Sequence, residues 1–263
     1  MQAYRRNKLR TACDIVRRIS NWPAAWGLRL FPRRQGIQRL LFRDGLALHC
    51  RGGTRDWDVI HELCFAGGYA RALKWLSAQP GEPLVLDLGG NVGVFSLLAA
   101  RAHSRARILA FEPGPPNAAM FQQNLYANAS LSNRIELRRE AVGGTTRAAK
   151  WFFDAANPAG SGLFQPRGEG VEVRIRAFAE ILAELGAPVA LVKTDIEGAE
   201  FEVLEHTPSG AWRQVRALSL ELHADPAGRV DGEDLLRRLR SLGFSVEEES
   251  VCSFFLHREA APR

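Results

Sequence analysis

The 263-residue chain has no apolar run approaching the roughly 20 residues that a bilayer-spanning helix needs. Its N-terminus lacks the continuous apolar stretch and small-residue cleavage site of a secretory signal. Cysteine is scarce: Cys13, Cys50, Cys64 and Cys252 are scattered, with no Cys-x-x-Cys pair. That spacing excludes a disulfide frame or zinc ribbon and fits free thiols in a reducing, cytoplasmic setting. Acids are scarce at one end only. Residues 1–55 hold 13 Arg or Lys against Asp14 and Asp44, a local balance of +11, so residues 56–263 carry −5 of the +6 total. A pI near 9.5 would suggest nucleic acid, but the positive charge belongs to the N-terminal stretch and the remainder is acidic. A nucleic-acid partner is therefore disfavoured.

Present instead is a regular alternation of strand and helix patterns from residue 83 onward. Strands are expected over 83–88, 107–112, 134–139, 189–194 and 216–222, with helices over 92–102, 115–127, 178–185, 199–206 and 232–242. Residues 145–153 and 170–176 read as an extra strand pair around a Gly- and Pro-rich loop, 154–170, either a substrate lid or a plain connection. The chain ends in an antiparallel-looking pair, 245–249 and 251–257. The fold class is α/β, a Rossmann-like, mostly parallel, doubly wound seven-stranded sheet closed by an antiparallel C-terminal hairpin.

Residues 1–80 read as an N-terminal extension before a domain spanning 81–263. Over 5–20, Leu9, Ala12, Cys13, Val16 and Ile19 share one helical face opposite arginines, and Trp22 and Trp26 follow. Such a helix either packs on the main domain or, through residues 5–30, lies on an anionic membrane surface. A hairpin over 37–51 turns at Arg43-Asp44-Gly45, Thr54-Arg55-Asp56 caps a helix with Val59, Ile60 and Leu63, and 69–76 forms a second helix.

The most informative segment is Val85-Leu86-Asp87-Leu88-Gly89-Gly90-Asn91-Val92-Gly93-Val94. An apolar strand ends in an acid, passes a glycine turn and opens a helix, the mouth of a nucleotide-type cofactor pocket. The spacing is Asp-x-Gly-x-x-x-Gly, and Val94 stands where a dinucleotide fingerprint needs its third glycine. A pyrophosphate would avoid Asp87, whereas an ammonium or hydroxyl would meet it. The pattern favours S-adenosylmethionine over NAD. Glu112, 23 residues after Gly89 and followed by Pro113, sits where a carboxylate accepts from both ribose hydroxyls. Glu140 is placed to accept from an adenine edge, with Ala141 and Val142 packing the ring.

With these residues the chain resembles the FkbM family of S-adenosylmethionine-dependent methyltransferases across roughly 54–224. Lys193-Thr194-Asp195-Ile196-Glu197-Gly198-Ala199-Glu200 is similar to the family's segment after the fourth strand. Asp87-Leu88-Gly89-Gly90-Asn91-Val92-Gly93 resembles its cofactor loop, and Phe111-Glu112-Pro113 the end of its second strand. Thr54-Arg55-Asp56 and Tyr69 resemble its lead-in. The resemblance implies O-methylation, typically of sugar or secondary-metabolite hydroxyls.

Methyl transfer from a sulfonium is an in-line displacement, so the chain has to align the acceptor oxygen and take its proton. The strand ends facing the pocket carry Asp195, which also adjoins the cofactor, Glu197, Glu221 and His223. His223 is the natural general base if its imidazole stays neutral near pH 7. Alternatively Asp195, Glu221 and His223 hold Mg²⁺, which lowers the pKa of the acceptor hydroxyl. Glu197 and Glu200 also suit the first turn of a helix, where acids favour the dipole.

Three other readings compete. An NAD-dependent oxidoreductase shares the turn but not its glycine spacing. Amino-methylating nucleic-acid enzymes carry an Asn- or Asp-Pro-Pro segment where this chain has Asp195-Ile196-Glu197-Gly198, which leaves an RNA ribose O-methyltransferase. A non-catalytic membrane-peripheral binding protein is the third.

Overall fold

The computed structural model describes residues 13–33, 35–153, 169–224, 228, 231–250 and 252–258. Residues 13–18 are helical, and Ile19 bridges to Phe42. Positions 5–12 of the expected N-terminal helix and 154–168 of the expected loop lie outside the described residues. The extension then runs through α1 (Trp22–Leu30), the hairpin β1 (Ile37–Leu41) and β2 (Ala47–Arg51), α2 (Asp56–His61) and α3 (Ala70–Ser77). After α2 the helix widens into a π turn over Glu62–Ala66, ended by Gly67 at φ +84.

The main sheet is built from β3 (Leu84–Leu88), β4 (Arg107–Phe111), β5 (Ile135–Arg138), β9 (Val189–Thr194), β10 (Val215–Glu221), β11 (Ser245–Glu248) and β12 (Ser253–His257). Its order is β11-β12-β10-β9-β3-β4-β5, with β12 antiparallel to both neighbours and β3, β4, β5, β9 and β10 parallel. This is the expected mostly parallel seven-stranded sheet closed by an antiparallel C-terminal hairpin. The central strand β9 reads Val-Ala-Leu-Val-Lys-Thr and is buried throughout, as a parallel strand covered on both faces requires.

Helices α4 (Val94–Ala102), α5 (Pro115–Ala127) and the short α6 (Ala129–Ser132) follow β3 and β4. Helices α7 (Phe178–Leu185), α8 (Glu200–His206) and α9 (Gly232–Ser241) follow later strands. Pro115 opens α5 where a missing N–H costs nothing, and Asp231 caps α9 by accepting from Asp234 N at 2.8 Å. Strand alternation sorts the sheet into two cores. Val85, Leu191 and Ala217 lie side by side and join Phe95, Phe121 and the extension's Ile19, Leu40, Leu48 and Ile60. Leu86, Leu88, Val192 and Leu218 face the other way, onto Phe178, Leu204, Trp212 and Leu236. The extension thus shares one buried cluster with one face of the sheet.

A small second sheet, β6 (Ala141–Gly143), β8 (Glu169–Ala177) and β7 (Arg147–Phe153), contains the expected extra pair, β7 and β8, in antiparallel register. The sequence reading had missed β6, which pairs parallel with β8. The outer edge of β2 is pinned to α5 by two buried amides. Asn124 Oδ1 accepts from His49 N at 2.6 Å, and Asn128 bonds both backbone groups of Ala47 at 3.1 and 2.6 Å. Those bonds satisfy strand groups that have no second strand to meet. Asn124 Nδ2 also donates to Val92 O at 2.8 Å, tying the extension to the glycine turn.

Candidate active site

The glycine turn is shaped by close approach. Gly89 has φ +80, and a Cβ placed on it would stand 1.8 Å from the Asp195 carbonyl oxygen. Only glycine lets the turn after β3 lie on the backbone after β9. Gly89 N and Gly90 N both donate to Phe111 O, at 3.0 and 2.8 Å, which draws in the end of β4. Gly93, at φ +86, and Gly90 pack on Phe121 behind the turn, where a Cβ would sit 2.2 and 2.8 Å from the ring. Asn91 between them adopts φ +48, uncommon for a side-chain-bearing residue.

That conformation aims Asn91 N at Glu112 Oε2 (2.8 Å), while Glu112 Oε1 accepts from Gly114 N (2.8 Å). Glu112 is almost wholly buried yet borders a cavity of about 350 Å³. Burial pushes its carboxyl up to about 7, against the pull of the two backbone donors and Lys193. Gly89, Asn91, Pro113, Asn117, Ala141 and Val142 line the same cavity.

Behind the turn lies Lys193, buried in β9. Its Nζ donates to Gly89 O at 2.6 Å and stands 3.5 Å from both Asp87 Oδ1 and Asp195 Oδ2. Burial alone would depress this ammonium, but Asp195, Asp87 and Glu221 outweigh it and raise its pKa. Asp87 is fully buried, accepts from Ser96 Oγ at 2.6 Å and does not line the cavity. The ammonium and hydroxyl it was expected to meet in a ligand are the chain's own.

The cavity also holds an acidic group. Asp195, Glu197, Glu221 and His223 line it, as do Arg55, Asp58, Val59 and Glu62 of the extension. His223 Nδ1 lies 3.1 Å from Glu200 Oε1, whose side chain is buried and also accepts from Ile196 N at 3.0 Å. The free Nε2 faces Asp195 Oδ1 at 3.9 Å and Glu197 Oε2 at 3.8 Å. The hydrogen bond to Glu200, then the surrounding carboxylates, push His223 up to about 9 although burial opposes it. That shift runs against the expectation of a neutral imidazole near pH 7. Burial, then Asp195, push Glu221 up to about 7, and Tyr69 Oη donates to it at 3.4 Å.

The cluster whose ligand atoms converge is Asp195, Glu197 and His223, all within 4.8 Å of one another. Glu197 takes the place expected for Glu221, because φ +55 at Glu197 turns its carboxylate back toward the imidazole. Glu140 departs further from expectation. It pairs with Arg174 (3.5 Å) and Arg176 (3.7 Å) and does not line the cavity, although Ala141 and Val142 beside it do.

A description of the Methyltransferase FkbM domain matches residues 87–246, more than half of the chain. The chain belongs to this methyltransferase family. It is an S-adenosylmethionine-dependent methyltransferase. It is 29% identical over 201 residues to Methyltransferase sdnD of Sordaria araneosa, covering 65% of this chain and 76% of that protein. It is 26% identical over 223 residues to 31-O-demethyl-FK506 methyltransferase FkbM of Streptomyces tacrolimicus, covering 70% and 82%. Among solved structures, Methyltransferase FkbM from Methylobacillus flagellatus KT is similar at a TM-score of 0.49 and 14% identity, over 77% of this chain and 54% of that one.

The residues present fit the cofactor. Glu112 is a carboxylate desolvated at the cavity wall, where hydroxyl donors would stabilise its charged form. Gly89 leaves the backbone bare beside it. The extension supplies part of the lining through Arg55, Asp58, Val59 and Glu62, none of them among the expected site residues. Arg51 grips the buried Asp56 through Nη2 (2.7 Å) and Nε (2.8 Å) and reaches Asn117 Oδ1 (2.7 Å). This clamp fixes the start of α2, next to the cavity-lining Arg55, Asp58 and Glu62. The concentration of charge at 55–62 (Arg55, Asp56, Asp58 and Glu62) was the available signal. Lys193 was also legible, as a charge inside an otherwise apolar buried strand.

Proposed function

We propose that this methyltransferase O-methylates a hydroxyl group of a sugar, glycan or secondary metabolite. The observation that supports it is that Glu112 and the Asp195–Glu197–His223 cluster line one cavity. Bound S-adenosylmethionine supplies a methyl group already activated on a sulfonium. Glu112 would hold the ribose, Asn91, Pro113, Ala141 and Val142 would line its surroundings, and Lys193 would keep the turn in place. At the acidic group the chain's task is to orient the acceptor hydroxyl and receive its proton. Glu221, poised near 7, has the pKa of an effective proton acceptor at neutral pH, whereas His223 already carries its proton. His223 and Asp195 then orient the oxygen.

A second version is favoured by the convergence of three ligand atoms. Asp195, Glu197 and His223 would hold a divalent cation such as Mg²⁺, with Glu200 fixing the imidazole from behind as carboxylates do at metal-bound histidines. The cation would replace the imidazole proton as the positive charge that these carboxylates need, and would lower the pKa of the hydroxyl. An RNA ribose acceptor fits less well, since Asp58, Glu62 and Glu197 at the cavity would repel phosphates.

The test is calorimetric titration with S-adenosylmethionine, then an acceptor panel of hydroxyl and amine compounds with Mg²⁺ or with a chelator, read as S-adenosylhomocysteine release. Turnover of hydroxyl acceptors is expected. Turnover of amines alone would overturn O-methylation, and equal rates with the chelator would overturn the metal version.

A further inference from the structure

The extension carries a surface that the cavity does not use. Of the seven exposed large apolar side chains among the described residues, Val16, Trp22, Leu30, Phe31 and Ile37 all belong to residues 16–37. Leu30 and Phe31 are 58% and 63% exposed. On α1, Trp22, Pro23 and Leu30 are exposed and Arg29 is half-buried beside them, while Ala25 and Leu28 are buried and Trp26 packs against the core. A solvated helix face would be polar there.

The segment is held firmly. Ser20 N donates to Leu41 O at 2.7 Å, and Asn21 exchanges side-chain bonds with Arg39 O and Leu41 N at 2.7 and 2.8 Å. Gly53 N donates to Pro32 O at 2.9 Å, so Phe31 and Pro32 are anchored where they project. Arg17, Arg29, Arg33 and Arg39 belong to the same segment or to β1 beside it and make no ion pair among the described residues. The nearby acid Asp44 is taken by Arg101 at 3.0 Å. Residues 1–12 add Arg5, Arg6, Lys8 and Arg10 and no acid.

We propose that this face docks the enzyme on an anionic lipid surface, with Trp22, Leu30 and Phe31 entering the headgroup boundary and the arginines meeting lipid phosphates. Charge complementarity commits the occupant to an anionic one. Projecting tryptophan, leucine and phenylalanine on a held helix favour a bilayer over a polynucleotide, because they gain from leaving water and offer no groove. The inference is independent of the methyl acceptor.

The experiment is sedimentation of the full-length protein with vesicles of phosphatidylcholine alone or mixed with phosphatidylglycerol, at low and high salt. Two surface variants accompany it, Leu30→Ser with Phe31→Ser, and Arg29→Glu with Arg33→Glu. Both keep the buried face of α1, and cofactor binding reports their folding. Sedimentation with the anionic vesicles, weakened by salt and reduced about tenfold or more by each variant, is expected. No sedimentation, or sedimentation that both variants leave intact, would overturn the proposal. So would a mobility shift of transfer RNA, lost in the variants, without vesicle binding.

Discussion

Lys193 Nζ stands 3.5 Å from Asp87 Oδ1, a buried ion pair that bridges adjacent strands β9 and β3 directly beneath the glycine turn. The lysine's bond to Gly89 O makes the pair a support for the turn itself. Lys193→Met leaves Asp87 buried without its cation. The expected loss is about 3–5 kcal/mol in denaturant unfolding, with weakened S-adenosylmethionine binding by calorimetry. Adding Asp87→Asn to Lys193→Met is expected to restore part of that stability. Strictly additive losses would show that the two do not act as a pair.

Glu112 sets a pH dependence. Its carboxyl is pushed up to about 7 in the folded chain from an ordinary 4.5, so the native state holds this proton more tightly than the unfolded one. The resulting stability is complete below pH 4.5 and is lost as pH rises through about 7. Glu112→Gln stays neutral throughout. Between those limits the parent is expected to lose on the order of 3 kcal/mol more than the variant, measured as unfolding free energy against pH. Ribose hydroxyls favour the carboxylate, so cofactor affinity is expected to rise from pH 6 to pH 8 with proton release. Titrations in buffers of different ionisation enthalpy would reveal that proton, and Glu112→Gln should abolish it.

Two glycines with similar backbone angles separate conformational cost from contact. Gly81, at φ +73, has open space around it, whereas a Cβ on Gly89 would overlap the Asp195 carbonyl. Gly81→Ala is expected to cost about 1–2 kcal/mol, the left-handed penalty alone. Gly89→Ala should cost several times that and abolish cofactor binding. Equal melting temperatures for the two variants would contradict the close approach.

Arg51 acts at a distance from the chemistry. Its grip on Asp56 and Asn117 positions the α2 wall, so Arg51→Met leaves a buried carboxylate unpaired. A loss of about 3–5 kcal/mol is expected, and under conditions where the variant is still folded, KM for the acceptor should rise more than kcat falls. A fall in kcat with unchanged KM would place Arg51 outside acceptor positioning.

Much of the fold was legible because strand and helix periods differ and their ends carry marked residues. The buried run 189–194 and the proline-opened helix 115–127 fall where the pattern put them. β6 escaped notice because three residues carry no period. The π turn escaped because Glu62–Ala66 continues the helical apolar spacing unbroken. In the site, the acids at strand ends could be read, but not where each points. Asp87 and Glu112 both end strands, yet one turns inward to Lys193 and the other borders the cavity. Glu197 reaches His223 through a left-handed backbone that no spacing rule foresees, and the α2 wall depends on packing between segments far apart in the chain.

The contact between Gly89 and the Asp195 carbonyl joins the turn proposed to seat the donor to the carboxylates proposed to meet the acceptor. Those two parts form one unit whose dimensions the backbone sets, so side-chain replacement has little power to retune the gap between them. Part of the lining is borrowed from the extension and held by a single arginine clamp. On the proposed reading, a change of acceptor would come from exchanging residues 55–62 while the glycine turn and Asp195 are kept.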